Sequence, residues 1–368
     1  MEDMFRFADE VGPSRIVHIH RPSARLRAIV VIDNTACGVA VGGVRMALDV
    51  SVEECFRLAR AMTWKNAAAG LPHGGGKSVI FGEPRMPLAQ KEDVIRAFAN
   101  AIRDIADYIP GPDMGTDELC MGWVKDETGR AMGLPRAIGG IPLDELGATG
   151  FGLAASVDIA RRFIDLELKG ARVAVQGFGA VGKHAARFLA EKGAVLVAAS
   201  DTHGTLQDPK GLDIAALIAL KDEGRPLSDH PQGEKRDMDS ILDVPCDIWI
   251  PAARPDVVHM GNVGRLKARL MPQGANIPCT AEAERALHER GILIVPDFIA
   301  NAGGVICASM EYRGSTERAA FDYIDERIRA NTQEVLEESR RNGSLPREAA
   351  QALAKARVQE ARATRRWR

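Results

Sequence analysis

The feature that most constrains the fold is a glycine-rich turn between a buried strand and a helix. The run Arg172-Val-Ala-Val-Gln176 predicts the strand, Gly177-Phe-Gly-Ala-Val-Gly182 predicts the turn, and helix-forming residues follow over 183–192. The first glycine permits a tight turn, the second lets a ligand approach the backbone, and the third lets helix and strand pack closely. A second apolar strand over 194–200 ends at Asp201. This order predicts a doubly wound α/β sheet that binds a dinucleotide.

The same turn suggests how the dinucleotide is held. The backbone of the turn and the N-terminus of the helix face the pyrophosphate. Asp201, 19 positions after Gly182, is placed to accept hydrogen bonds from the adenosine ribose, which favours NAD over NADP. NADP remains an alternative coenzyme, because His203 or a distant arginine can bind a 2′-phosphate. A glycine turn that binds nothing is the alternative, and the flanking strand, helix and acidic residue argue against it.

Length and composition narrow the class of protein. The 368 residues suit two domains, and 46% hydrophobic with 27% charged residues is typical of a soluble globular protein. A formal charge of -2 gives no global basic field for nucleic acid. The acidic N-terminus lacks the apolar core of a signal peptide, and no apolar run is long enough for a membrane span. Six cysteines without a C-x-x-C pair predict neither disulfides nor a metal site, as expected for a cytoplasmic enzyme.

The first half of the chain has its own α/β pattern. Alternating apolar runs over 16–20 and 26–32 predict sheet strands. Ser51-Val-Glu-Glu54 is a capping-box pattern and predicts the start of a helix that ends near Gly70. A second helix is predicted over 91–107. Together these elements indicate a separate N-terminal α/β domain.

A stretch rich in glycine and proline over 129–150 predicts the domain boundary. We therefore expect an N-terminal domain over 1–142 and a Rossmann-like, doubly wound dinucleotide-binding domain over 143–333. Three further strands are predicted in the second domain, each followed by a loop: Asp247-Ile-Trp-Ile250, Arg269-Leu-Met271 and Ile292-Leu-Ile-Val295.

Two lysines and an aspartate in the first domain suggest chemistry. Lys65 ends Met62-Thr-Trp-Lys65, Lys77 follows three glycines, and Asp113 lies in a Gly-Pro-Asp loop. The glycines bring backbone close to a neighbour and clear space around the Lys77 ammonium. One lysine can bind a carboxylate as a fixed cation, and a second, desolvated, can exchange protons near neutrality. Each lysine alone is typical of a solvated surface, whereas beside a dinucleotide turn the set indicates a dehydrogenase.

The chain resembles the glutamate/leucine/phenylalanine/valine dehydrogenase superfamily from about residue 25 onward. The segments that carry the resemblance occur in the family's order: Val41-Gly-Gly-Val-Arg45, Met62-Thr-Trp-Lys65, Gly74-Gly-Gly-Lys77, Pro112-Asp-Met-Gly-Thr116, Gly147-Ala-Thr-Gly-Phe-Gly152, Gln176-Gly-Phe-Gly-Ala-Val-Gly182, Pro251-Ala-Ala253, Gln273-Gly-Ala-Asn276 and Asn301-Ala-Gly-Gly304. The resemblance implies reversible NAD(P)-dependent oxidative deamination of an L-amino acid to its 2-oxo acid and ammonia. It also implies a homo-oligomer, and a C-terminal helix over 334–368 that packs back on the N-terminal substrate and oligomerisation domain.

The resemblance also implies roles for individual residues. Lys65 holds the substrate α-carboxylate, Lys77 activates water and stabilises the developing oxyanion, and Asp113 carries protons to and from the amino group. Further substrate-binding residues are Val41, Gly43, Gly111, Asn301, Val305 and Ala308. Cofactor-binding residues are Gly177, Phe178, Gly179, Ala180, Val181, Gly182, Asp201, Thr149, Ala252 and Asn276. No metal is implied.

The substrate side chain is predicted from departures from the family pattern. Glutamate-specific members carry a lysine where this chain has Val41 and a serine where it has Ala308; the chain also departs at Ala180 and at Arg254-Pro-Asp256, on the nicotinamide side. A carboxylate buried among uncharged neighbours lacks a partner, which disfavours glutamate. A bulky apolar or aromatic amino acid is therefore predicted.

Three alternatives stay open at this point. Another cation, for example Arg313, can restore glutamate as the substrate. Met46 or Met114 can fill the pocket and reduce it to an aliphatic size. A catalytically inactive sensing paralogue is the non-enzyme alternative, and the presence of Lys65, Lys77 and Asp113 together argues against it.

Overall fold

The structure is a computed structural model that describes residues 5–365. The chain divides into two compact units. Among the described residues, the first unit contains 5–142, 305–320 and 351–365, and the second contains 143–304 and 321–350. Within the described residues, no helix has both the length and the apolar character needed to cross a membrane.

The first unit is built on a five-stranded sheet in the order β1-β2-β4-β3-β5. Its strands are β1 (Arg15–Arg21), β2 (Leu26–Asn34), β3 (Ala40–Ala47), β4 (Gly74–Phe81) and β5 (Tyr108–Pro112). The pairs β1–β2 and β2–β4 are antiparallel, and β3 runs parallel to both β4 and β5. Because parallel strands end at the same edge of a sheet, residues that follow β3, β4 and β5 share one edge.

Helices α1 (Val52–Ala68), α2 (Leu88–Ala101) and α3 (Glu118–Thr128) complete this unit. The predicted start of α1 is confirmed: the Ser51 hydroxyl accepts a hydrogen bond from the Glu54 N–H at 3.1 Å. Helix α2 is shorter than the predicted 91–107. It begins directly after Pro87, and turns replace the helix beyond Ala101.

The second unit is built on a seven-stranded sheet in the order β12-β11-β10-β6-β7-β8-β9. Its strands are β6 (Arg172–Gln176), β7 (Val195–Asp201), β8 (Gly204–Gln207), β9 (Glu234–Arg236), β10 (Ile248–Pro251), β11 (Leu270–Pro272) and β12 (Leu293–Val295). The five strands from β12 to β7 are parallel, which confirms the predicted doubly wound sheet. The antiparallel edge formed by β8 and β9 has no counterpart in the prediction, because both strands are very short.

The helices of the second unit connect these strands. They are α4 (Leu143–Leu146), α5 (Ala148–Ala160), α6 (Ala180–Ala190), α7 (Ile214–Asp222), α8 (Ala281–Glu289) and α9 (Asp297–Ala300). Helix α6 directly follows the glycine turn, as the sequence predicts.

Three helices form the C-terminal part: α10 (Gly303–Tyr312), α11 (Glu317–Asn342) and α12 (Pro346–Ala363). The predicted single helix over 334–368 is wrong. The chain breaks after α11, where Gly343 adopts φ +65° and Pro346 begins the next helix; residues 366–368 of that prediction lie outside the described residues. Each of the three helices begins in one unit and ends in the other.

The glycine triplet before Lys77 has a packing reason. A Cβ at Gly75 would lie 2.2 Å from the backbone N of Thr63 in α1. Glycine at this position therefore lets α1 lie directly against β4, which brings the helix that carries Lys65 close to the strand that carries Lys77.

We expect Gly75→Ala to destabilise the protein by about 1–3 kcal/mol, because the new methyl group must push α1 away from β4. Gly264→Ala is the matched control, since no atom of the described residues lies within 4 Å of the Cβ it adds. Denaturant unfolding measures both; equal midpoints for the two variants would contradict the packing argument.

Candidate active site

Lys77 and Asp113 form an ion pair across the strand that separates them. Lys77 lies in β4 and Asp113 directly follows β5, with β3 between them, so their backbones are about 10 Å apart. Gly43 of β3 lies directly beside the Asp113 side chain. A Cβ at this position would lie 2.7 Å from the Asp113 Cβ and 3.0 Å from its Oδ2. The absence of a side chain at Gly43 therefore provides the space in which the two charged groups meet.

Burial sets the proton affinity of this pair. Lys77 is only 3% exposed, and this burial lowers the pKa of its ammonium although the charge of Asp113 opposes the change. Burial alone would raise the pKa of Asp113, but Lys77 and Arg45 outweigh it and the pKa lies below its usual value. The pair thus combines a firmly ionised carboxylate with a lysine that loses its proton more easily than usual.

Several backbone and side-chain groups fix the Asp113 carboxylate. Its Oδ1 accepts hydrogen bonds from Arg45 Nε at 2.7 Å and from the Met114 N–H at 2.8 Å. The Asp113 N–H donates to Thr116 Oγ1 at 3.0 Å, and that hydroxyl donates to the Val44 carbonyl at 2.7 Å. Arg45 belongs to a motif that carries the family resemblance, but the sequence analysis gave it no role.

Lys65 lies half-buried in the last turn of α1. The neighbouring Asn66 side chain donates a hydrogen bond to the Gly74 carbonyl at 2.7 Å. This bond fastens the end of α1 to the first residue of β4, so that the elements carrying Lys65 and Lys77 are held together.

The predicted side-chain residues Val41 and Ala308 belong to one apolar cluster. Val41 is buried with Ile109 and Met132, and Ala308 packs against them. Val305 lies one turn before Ala308 on the same face of α10, and both are half-buried.

The two methionines proposed to fill this pocket do not belong to the cluster. Met46 is buried in a different cluster that includes Phe98, and Met114 is 66% exposed. The methionine that does belong to the cluster is Met132. It also lies next to Gly111, since a Cβ added there would be 3.9 Å from both the carbonyl oxygen and the Cβ of Met132.

A buried carboxylate holds the segment that carries Met132. Glu311 Oε1 accepts hydrogen bonds from the N–H groups of Gly133 at 2.8 Å and Leu134 at 3.1 Å, and Oε2 accepts from Ile141 at 2.8 Å. Burial raises the pKa of Glu311 even though the three N–H groups favour its ionised form. Glu311 thus ties α10, which carries Ala308, to the loop that carries Met132.

In the second unit, the glycine turn has the geometry that dinucleotide binding needs. Gly177 adopts φ +92°, and a Cβ at Gly182 would lie 2.1 Å from the Gly177 carbonyl oxygen. At Gly179, no atom of residues 5–365 lies within 4 Å of an added Cβ, and no described side chain caps α6 there. Ala180 and Val181 form the first turn of α6. The turn therefore leaves room and free N–H groups for a pyrophosphate.

Phe178 differs from its neighbours in the turn. Its side chain is buried, and its N–H donates to the Ser200 carbonyl at 2.8 Å. The Phe178 side chain therefore packs in the core while its N–H is bonded to β7, and its role in cofactor binding stays a prediction.

The Asp201 carboxylate already accepts hydrogen bonds from the protein. Oδ1 accepts from the His203 N–H at 2.9 Å, and Oδ2 accepts from the Leu227 N–H at 2.9 Å and from Lys221 Nζ at 3.0 Å. Burial opposes ionisation of Asp201, but these donors lower its pKa. Lys221, which sequence reasoning missed, thus places a cation beside the predicted ribose-binding carboxylate.

The remaining predicted residues lie together in the second unit. Asn301 Nδ2 donates to Asn276 Oδ1 at 2.9 Å. A Cβ at Gly304 would lie 3.0 Å from Thr149 Oγ1, and the Ala252 N–H donates to the last carbonyl of β6 at 2.7 Å. Asn301, predicted to bind substrate, therefore groups with the predicted cofactor residues.

Comparison with known proteins agrees with this arrangement. Residues 139–366 match the model of the Glutamate/Leucine/Phenylalanine/Valine dehydrogenase family, and residues 13–130 match its dimerisation domain. Glutamate dehydrogenase of Aeropyrum pernix is 36% identical over 358 residues, covering 91% of this chain and 85% of that protein.

Solved structures agree as well. The hetero-hexameric glutamate dehydrogenase of Thermus thermophilus in a Leu-bound form matches with a TM-score of 0.84 and 26% identity, over 95% of this chain and 89% of that one. L-tryptophan dehydrogenase of Nostoc punctiforme matches with a TM-score of 0.75 and 25% identity, over 96% and 98%. The chain therefore belongs to the glutamate/leucine/phenylalanine/valine dehydrogenase family and is an NAD(P)-dependent amino acid dehydrogenase.

Proposed function

We propose that the protein oxidatively deaminates an apolar L-amino acid, bulky and aromatic ones included, to the 2-oxo acid and ammonia. The observation that carries this proposal is the buried apolar cluster of Val41, Ile109 and Met132, with Ala308 packed against it. Glutamate-specific members of the family have a lysine at the position of Val41. In this protein, Val41 replaces that lysine and its neighbours in the cluster are apolar side chains.

The catalytic steps follow from the residues of the first unit. Lys65 holds the substrate α-carboxylate, and Asp113 accepts a proton from the substrate amino group. A nicotinamide coenzyme, when bound, would accept the hydride from the substrate Cα, which leaves an imine. Lys77 then activates water for attack on the imine and stabilises the oxygen of the carbinolamine, and Asp113 returns a proton to the departing ammonia. The direct contact of Lys77 with Asp113 supports this division of labour.

We expect Lys77→Ala and Asp113→Asn each to reduce kcat by several orders of magnitude while the protein stays folded, because proton transfer and oxyanion stabilisation are lost. Steady-state kinetics and thermal unfolding measure the two effects. Lys91→Ala is the control, since the Lys91 ammonium donates to the Pro84 carbonyl elsewhere in the first unit. Near-normal turnover in either active-site variant would refute its assigned role.

The apolar cluster disfavours a substrate carboxylate. Placing an ionised group there removes its hydration without a compensating partner, which costs several kcal/mol. Arg313, the cation considered above, lies exposed just beyond the end of α10. Gly111 and Ala308 add little bulk, and the flexible thioether of Met132 can adjust to side chains of different size. These features favour large apolar substrates.

Changing Val41 to lysine tests the proposed preference for apolar amino acids over glutamate. We expect the wild type to have a higher kcat/KM for leucine or phenylalanine than for glutamate, and Val41→Lys to raise the value for glutamate at least tenfold while lowering it for the apolar substrates. Leu48→Lys is a matched control, because Leu48 is 70% exposed just beyond β3. Glutamate as the best wild-type substrate would overturn the proposal.

For the coenzyme we propose a preference for NAD, because a carboxylate at the end of β7 repels a 2′-phosphate. Lys221 at 3.0 Å partly balances that charge. Asp201→Ser leaves Lys221 without its counter-ion, so we expect the ratio of kcat/KM for NAD to that for NADP to fall at least tenfold. Asp208→Ser, which removes a carboxylate that accepts the Lys210 N–H, is the control. A wild-type preference for NADP would contradict this assignment.

We further propose that the protein works as a homo-oligomer in the cytoplasm. A match to the family's dimerisation domain supports oligomerisation. All six cysteines are free thiols, and five of them are buried, which suits a reducing compartment.

A further inference from the structure

Arg45 connects the proton-transfer pair to α1. Its Nε donates to Asp113 Oδ1 at 2.7 Å, and its Nη1 donates to Glu54 Oε1 at 2.6 Å. The Arg45 side chain is 19% exposed, so solvent screens these contacts only partly. Glu54, Arg45, Asp113 and Lys77 therefore form a row of alternating charges that runs from α1 across β3 to β5 and β4.

The two cations on Asp113 are chemically different. Lysine can lose its proton when buried, whereas arginine stays charged at every working pH. When Lys77 gives up its proton, Asp113 loses one of its two counter-ions and Arg45 remains. The planar guanidinium also uses two separate N–H groups for two carboxylates, which a single ammonium cannot do with the same fixed orientation.

We propose that Arg45 is the positioning residue of the proton-transfer pair: it fixes Oδ1 of Asp113 so that Oδ2 faces Lys77, and it keeps Asp113 a carboxylate while Lys77 is neutral. This inference rests on the proposed roles of Lys77 and Asp113. Arg45 acts through Asp113, and nothing in its contacts requires it to touch the substrate.

Two further titratable groups near the pair, Cys55 and Tyr108, stay neutral in the working range. Cys55 lies behind Lys77, and burial raises the pKa of its thiol to about 12. Burial also raises the pKa of Tyr108, whose hydroxyl donates to the Gly42 carbonyl at 2.9 Å. Glu54, at the far end of the row, contacts Arg45 directly. Of the described residues in contact with Asp113, Arg45 and Lys77 thus supply the positive charge.

The pH dependence of kcat/KM tests the proposal. Without Arg45 the pKa of Asp113 rises, so Asp113 is protonated at higher pH, and the pKa of Lys77 rises as well, because the charge of Arg45 lowers it. We expect the acidic limb of the profile to move upward by about one pH unit or more in Arg45→Gln. Arg45→Lys should give a smaller shift, since it keeps the charge and loses the second N–H contact. Arg96→Gln is the matched control, because Arg96 forms ion pairs with Glu92 and Asp126 on α2 and α3 of the same unit.

A double variant separates positioning from general structural damage. If Arg45 acts through Asp113, Arg45→Gln combined with Asp113→Asn is no slower than Asp113→Asn alone. An unmoved acidic limb in folded Arg45→Gln, or losses that add in the double variant, would overturn the proposal. If Asp113→Asn itself retains activity, the fault lies instead with the proposed function. If Arg45→Gln does not fold, the pH profile of kcat/KM for Arg45→Lys tests the proposal instead. An acidic limb at the wild-type pH in that variant would contradict a role for the two N–H contacts of Arg45.

Discussion

The ion pair of Lys77 and Asp113 depends on a missing side chain. The two residues lie on strands that are not neighbours, and the strand between them must carry nothing at Gly43 for their charges to meet. The other requirements follow from this one. The parallel pairing of β3 with β4 and β5 brings Lys77, in the middle of β4, level with the end of β5, and α1 must approach closely enough to bury the lysine, which Gly75 permits. Backbone packing thus determines the electrostatics of the site.

The sequence predicts those parts of the fold and of the site that depend on residues close together in the chain. The turn over 177–182 and the cap at Ser51 were predicted because each depends on residues only a few positions apart. Met132 and Glu311 were not, because their importance arises from contacts between distant segments: Met132 packs against Val41, and Glu311 binds the backbone near Gly133. The break at Gly343 was also missed, because helix-forming residues flank it on both sides.

The two units treat charge in different ways. In the first, an apolar cluster lies close in the sequence to a row of ion pairs. In the second, the carboxylate of Asp201 is shared between backbone N–H groups and Lys221. The negative charge of Asp201 is therefore partly offset by the ammonium of Lys221.

The shared helices limit how this protein can be recombined with its relatives. Helix α12 has Arg347 bound to Glu284 and Asp297 in the second unit, while Arg357 of the same helix donates to the Ala68 carbonyl at 2.6 Å in the first. The transitions at 304/305, 320/321 and 350/351 all fall inside helices, and only the one at 142/143 falls between elements. A chimera that exchanges the whole second unit must therefore join the two parent sequences inside three helices. Swapping the contiguous block 143–304 alone would leave residues 321–350 of the second unit from the original protein, packed against a foreign block.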